Sequence, residues 1–127
     1  MRVLQFAFSD PANAYLPHNY SVNTVCYSGT HDNLTLAQWF AEADIEDIAM
    51  ARNYLGLNGE EGFVPGMIRG CMSSVSKLCV IQMQDYLELD GKARMNFPGT
   101  LSPNNWTWRA EKGFITEELT QRIYATT

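Results

Sequence analysis

The apolar positions of this chain switch between two periods. Val3 to Phe8 is nearly all apolar, the pattern of a strand buried on both faces, as in parallel sheets. Ser9-Asp10-Pro11-Ala12-Asn13 then supplies turn residues. Tyr15-Leu16-Pro17-His18-Asn19-Tyr20 has no period and reads as an ordered loop, in which Pro17 pushes Leu16 out of helical geometry. Thr24 to Tyr27 is a second strand, and Gly29 lets the chain turn sharply after it.

Helical spacing follows. Leu36, Trp39, Phe40 and Ala43 share one face, with Asn33 or Thr35 as the cap. Asp44 opens a second helix, with Asp47 in support and a buried face of Ile45, Ile48, Ala49, Arg52 and Leu55; Gly56 ends it. A third helix has Pro65 in its first turn and a stripe of Ile68, Cys71, Met72, Val75 and Leu78. Leu78 to Met83 returns to strand, with Gln84 and Asp85 at its C-terminal end as turn or surface groups. A short helical turn is expected over Tyr86 to Leu89. Lys92 to Thr100 is loop, and Thr116 to Ala125 is a capped helix burying Leu119, Ile123 and the stem of Arg122. Strands alternating with helices predict an α/β fold with a parallel sheet. No internal repeat or low-complexity segment appears.

The 127 residues, 46% hydrophobic and 18% charged, fit one globular domain. A net charge of −5 with nine scattered Lys and Arg argues against nucleic acid and anionic membranes as main partners. No run reaches the length of a membrane span, and the N-terminus lacks the layout of a signal peptide. Cys26, Cys71 and Cys79 are odd in number and each sits in an apolar run, which reads as buried thiols in a reducing compartment. A cytoplasmic protein is therefore expected, in which the triplets opening at Asn19, Asn33 and Asn105 carry no glycan. A strand directly after Met1 suggests a piece of something larger.

The candidate chemistry centres on Gly29-Thr30-His31-Asp32-Asn33, where a strand hands over to a helix. A carboxylate there can act as acid, base, nucleophile or charge stabiliser. Position alone favours a helix cap for Asp32. His31 alone is a weak signal, and His18, His31 and Asp32 have no diagnostic metal spacing. Asp10, Gln84, Asp85 and Asn96 lie at strand ends or loops. Trp106, Trp108, Tyr15 and Tyr20 offer flat faces for sugar rings, although packing explains most aromatics.

Six segments occur in one order: Leu4-Gln5-Phe6-Ala7-Phe8, Tyr15-Leu16-Pro17-His18-Asn19-Tyr20, Tyr27-Ser28-Gly29-Thr30-His31-Asp32-Asn33, Gln84-Asp85, Ala93-Arg94-Met95-Asn96-Phe97-Pro98-Gly99-Thr100 and Asn105-Trp106-Thr107-Trp108-Arg109. Together they closely resemble the C-terminal part of the 4-α-glucanotransferase family (amylomaltase, or disproportionating enzyme). Leu34 departs from the acidic residue the family often carries there. The resemblance implies the last three strands of a (β/α)₈ barrel and the transfer of α-1,4-glucan segments to the 4-hydroxyl of an acceptor glucan by a retaining mechanism. It implies Asp32 as transition-state stabiliser, His31 and Asn96 as sugar contacts, and Asp10 and His18 as cleft residues, with no metal and no organic cofactor. Maltooligosaccharides are the implied partners.

A barrel of this kind takes roughly 250 residues, and only Asp10 precedes Asp32 among the carboxylates. The chain alone is therefore expected to lack nucleophile and general acid. It would be a piece of a longer enzyme or one completed by a second chain, and alone, with an unpaired sheet edge and an uncovered face, it would oligomerise, swap domains or pack in a non-barrel way. Two other readings are a non-catalytic glucan-binding module and a metal-dependent hydrolase using His18, His31 and Asp32.

Overall fold

The computed structural model describes residues 1–127. Three short strands, β1 (Arg2–Val3), β2 (Val25–Tyr27) and β3 (Leu78–Val80), form a parallel sheet in the order β1-β2-β3. Between β2 and β3 run α1 (Leu36–Glu42), α2 (Ile45–Leu55) and α3 (Phe63–Met72), and after β3 come α4 (Met83–Tyr86) and α5 (Glu117–Thr126). No helix is long and apolar enough to cross a membrane.

The strands are shorter than the apolar runs that contain them, for one shared reason. Val3 pairs with Tyr27 and Tyr27 with Val80, so all three strands stop at one row. Beyond it β2 leaves the sheet, and neither neighbour retains a ladder partner. Leu4–Phe6 closes into a 3₁₀ turn instead of continuing as strand, yet Leu4, Ala7 and Phe8 stay buried. A short apolar run cannot tell a buried strand from a buried turn by period alone.

The helix starts and stops follow local chemistry. Thr35 caps α1, its side chain accepting from the Gln38 N–H at 3.3 Å, and Thr116 caps α5 through the Leu119 N–H at 3.1 Å. Gly56 ends α2 in the left-handed region at φ 64°. Pro17 sits in a 3₁₀ turn, Pro17–Asn19, with Leu16 extended before it.

Two helix faces differ from the expected ones. In α2 the inward face centres on fully buried Ala51, with Ile48, Tyr54 and Leu55 packed beside it, while Ile45, Ala49 and Arg52 point outward. Ile45 occupies the first helical position, before the face meets the core. In α3 the stripe is Val64, Met67, Ile68 and Cys71; the helix ends at Met72, so Val75 and Leu78 lie past it and are exposed. The helical turn expected at Tyr86 to Leu89 comes earlier, as α4, and draws in Gln84 and Asp85, both buried. Arg122 does not bury its stem; it reaches the Tyr86 carbonyl at 3.0 Å.

Phe8, Leu16, Leu36, Trp39 and Met67 form the centre of one continuous core. Cys26 and Cys79 are register partners on adjacent strands, and all three cysteines are free.

Candidate functional site

The site is built on the far side of the row where the strands stop. The chain leaves β2 through Ser28 and Gly29, both buried, and rejoins the core at Thr35 and Leu36. Between these ends Thr30 to Asn33 forms a turn. The Asn33 N–H donates to the Thr30 carbonyl at 3.0 Å, and the Asn33 amide oxygen accepts from the Thr30 N–H at 2.8 Å and from its hydroxyl at 2.9 Å. An asparagine closing its own turn in this way stiffens the loop. Asn33 thus serves the loop and not the helix. Asp32 is no helix cap either, because Thr35 fills that position.

Asp32 projects from this turn with its side chain 43% exposed. The Asn96 amide donates to Asp32 Oδ1 at 2.7 Å, and His31 Nε2 lies 3.4 Å from the same oxygen. A half-exposed carboxylate with one oxygen engaged keeps acceptor capacity for hydroxyl groups. The loop after α4 holds this arrangement from the other side. The Asn96 N–H donates to the His31 carbonyl at 3.0 Å, Arg94 Nη2 donates to the Asp32 carbonyl at 2.6 Å, and Arg94 Nε donates to the Asn96 carbonyl at 3.0 Å. Arg94 is itself stacked on the Phe97 ring, 4.4 Å from its centroid.

Trp106 completes the group. Its ring lies 4.9 Å from that of His31, its main-chain N–H donates to the Met95 carbonyl at 2.6 Å, and it is 58% exposed. Its φ of 63° is uncommon for a bulky side chain, and strain of that kind concentrates at functional positions.

Beneath the loop, Asp85 accepts from the Ser28 hydroxyl at 2.7 Å and from the Leu36 N–H at 2.8 Å. Gln5 donates to the carbonyls of Ser28 and Leu34 at 3.3 and 3.0 Å. Burial pushes the Asp85 carboxyl above the usual carboxylate range, and the two donors partly offset this. Neither turn chemistry nor a solvated surface describes Asp85.

The structure therefore brings His31, Asp32 and Asn96 together. Asp10 closes its own turn, accepting from the Ala12 N–H at 2.9 Å, and His18 is bonded to and stacked on Tyr54. No hydrogen bond or ring contact connects either to Asp32. No group of three His, Cys, Asp or Glu side chains is placed to hold a metal ion, and His18, His31 and Asp32 do not come together. Tyr20 is buried, with its hydroxyl on the Tyr15 carbonyl; packing accounts for it. Clefts of about 690 and 520 Å³ lie elsewhere, the first against α3 and α5, the second beside Trp108 and Phe114, and Asp32 lines neither.

Arg94 and Gln5 are not among the candidates the sequence offers; Trp106 is there only as a flat face for sugar rings, and Asp85 only as a turn or surface group. Gln5 and Asp85 do carry a signal, Gln5 as the lone polar residue inside an apolar run and Asp85 as a polar group just past the end of one. Nothing in the spacing ties Arg94 or Trp106 to Asp32, because both contacts depend on how an irregular loop folds back.

A carboxylate, an imidazole, an amide and an indole thus form one polar, partly exposed cluster at the C-terminal edge of the parallel sheet of an α/β protein. The sequence profile of glycoside hydrolase family 77, 4-alpha-glucanotransferase, matches residues 1–116, and the chain belongs to that family. It is 46% identical to a 4-alpha-glucanotransferase of Clostridium butyricum over 100% of this chain and 26% of that protein. It is 44% identical to the one of Synechocystis over 99% of this chain and 27% of that protein. Among solved structures it is similar to the amylomaltase from Streptococcus agalactiae in complex with acarbose, with 34% identity and a TM-score of 0.93 over 99% of this chain and 26% of the other. The chain thus spans about a quarter of the length of the relatives it matches.

Proposed function

We propose that this chain is the C-terminal portion of a glucanotransferase barrel, its three strands the last three of a (β/α)₈ array, and that the complete enzyme transfers α-1,4-glucan segments to the 4-hydroxyl of an acceptor glucan. The observation that carries the reading is the convergence of His31, Asp32 and Asn96 on one oxygen-rich point at the strand ends, in a chain of this family. In the retaining mechanism a carboxylate attacks the anomeric carbon while a carboxylic acid protonates the leaving oxygen, and an acceptor hydroxyl in place of water then displaces the enzyme. Asp32 is assigned a third role. Its free oxygen accepts from the hydroxyls of the ring being cleaved, and its charge favours the oxocarbenium-like transition state over the neutral ground state. His31 and Asn96 bind the same ring. Asp10 and His18 line the cleft at greater distance. The chemistry calls for carboxylates and for no metal or organic cofactor.

Nucleophile and general acid are assigned to segments outside this chain. A maltotriose disproportionation assay tests this. The expected result is no transfer by the chain alone and transfer when the preceding barrel strands are supplied as a second polypeptide. Turnover by the chain alone would overturn the assignment. Maltooligosaccharide binding without turnover in the completed protein would instead mark a glucan-binding module.

The outer strand supports the need for a complement. Leu78 and Val80 on β3 are 56% and 39% exposed, and β3 has an unpaired edge. An edge of this kind recruits further strands. The isolated chain is expected to associate with itself in gel filtration with light scattering and to lose that association when the complement is added. A well-behaved monomer would count against the incomplete barrel.

A further inference from the structure

Two buried side chains, one from each neighbouring strand, span the base of the Asp32 loop. Asp85, 1% exposed, follows β3; one carboxyl oxygen holds the Ser28 hydroxyl at 2.7 Å and the other the Leu36 N–H at 2.8 Å. Gln5, 5% exposed, follows β1; its amide nitrogen holds the Ser28 carbonyl at 3.3 Å and the Leu34 carbonyl at 3.0 Å. Each side chain therefore grips both ends of the same loop, and neither hydrogen-bonds to His31, Asp32 or Asn96. We infer that Asp85 and Gln5 are positioning residues for Asp32: together they fix the separation of Ser28 from the start of α1 and so aim the carboxylate that stands between them. This rests on the role proposed above for Asp32.

None of residues 30–34 is fully buried, and Leu34 alone among them packs against the core, so hydrogen bonds set much of the shape of the turn that carries Asp32. From above its hydrogen bonds come from Arg94 and Asn96, which belong to another loop, with the Trp106 ring against His31. From below it is held by the two braces, both rooted where the strands end. The chemistry suits the task. A carboxylate is all acceptor and takes two donors at once, while the Gln5 amide presents its NH₂ to two carbonyls. Leu36 is the first residue of α1, whose N–H has no partner within the helix. Asp85 supplies that partner and thereby ties the helix start to the strand end. Small displacements of a catalytic group have large kinetic effects, so a braced loop base matters more for rate than for substrate affinity.

A purely structural role would satisfy the same buried donors, so the test separates the two. Asp85→Asn keeps both bonds: its oxygen accepts from the Leu36 N–H, and its NH₂ donates to Ser28, whose hydroxyl turns from donor to acceptor. Asp85→Leu has the same branching and makes neither bond; Gln5→Leu removes the second brace. The expected result is that, in this chain, amide hydrogen exchange at residues 30–34 rises about tenfold or more in both Leu variants, and less than about threefold in Asp85→Asn. In the completed enzyme kcat falls about tenfold or more in the Leu variants with KM changed less than about threefold, and Asp85→Asn restores most of it. Unchanged exchange at residues 30–34 in folded Leu variants would overturn the inference, as would an Asn variant as impaired as the Leu one. Should Asp85→Leu fail to fold, Ser28→Ala, which removes one bond, takes its place with the same two outcomes. A completed parent enzyme without transfer activity would defeat the proposed function only, and the exchange measurement would still decide the bracing.

Discussion

Asp32→Asn is expected to lower glucan transfer by the completed enzyme about a hundredfold to a thousandfold, the range found when a group aimed at developing charge is removed. The substitution leaves the local frame in place. The asparagine oxygen still accepts from the Asn96 amide, and the bonds that Arg94 and Thr30 make to residue 32 involve its main chain. What disappears is the negative charge and part of the acceptor capacity facing the sugar. Charge matters most where positive character develops, so kcat should fall and KM should move far less. Stability should change by no more than about 0.5 kcal/mol, because the side chain is 43% exposed and its main hydrogen bond survives. Steady-state kinetics on maltotriose together with thermal denaturation would check both halves. An Asn variant with parental kcat would remove Asp32 from the transition state and leave it a loop residue.

This expectation also shows what the sequence did and did not disclose. Position alone favoured a helix cap for Asp32, since a carboxylate before a helical pattern usually is one. The structure gives that task to Thr35, directly before Leu36, the first residue of the expected face. The parallel sheet, the capped helices α1 and α5 and the Gly56 stop were all legible, because each follows from a local rule of period, cap or handedness. The strand lengths were not. They depend on where three strands run out of partners at the row of Val3, Tyr27 and Val80, and no local rule contains that information. The inward face of α2 was misplaced for a related reason: Ala51, a small residue, marks the close approach to the core, whereas hydropathy weights Ile45. Among site residues, His31, Asp32 and Asn96 were named and do meet. The pairings that support them are not legible, because Arg94, Trp106, Gln5 and Asp85 act across 62, 75, 23 and 57 residues of chain, and such pairings are decided by the fold.

Phe8→Ala is expected to be the most damaging core substitution, costing about 3–5 kcal/mol. Phe8 lies beyond the end of β1, in a stretch that reads as strand and folds as turn. Its place is fixed by packing and by no ladder bond. It is 2% exposed, its ring 5.9 Å from that of Trp39 on α1 and 6.3 Å from that of Tyr54 on α2. Removing it takes away the tilted contact with Trp39 and the edge-on contact with Tyr54 and leaves a cavity bounded by two helices and the segment after β1. The turn itself is tied by the Ala7 N–H on the Leu4 carbonyl and by the Asn13 amide on the Phe6 carbonyl at 2.9 Å, bonds that do not fill the space the ring leaves. Domains of this size have total stabilities of about 5–15 kcal/mol, so the variant should retain a small fraction of the parental margin. Phe8→Leu, which refills most of the volume without the ring contacts, should recover a large part of the loss. Denaturant unfolding of the three proteins would measure this. A Phe8→Ala loss below about 1 kcal/mol, the level of an ordinary surface change, would mean that the segment after β1 is not anchored in the core, and with it that Gln5 has no fixed seat from which to brace the Asp32 loop.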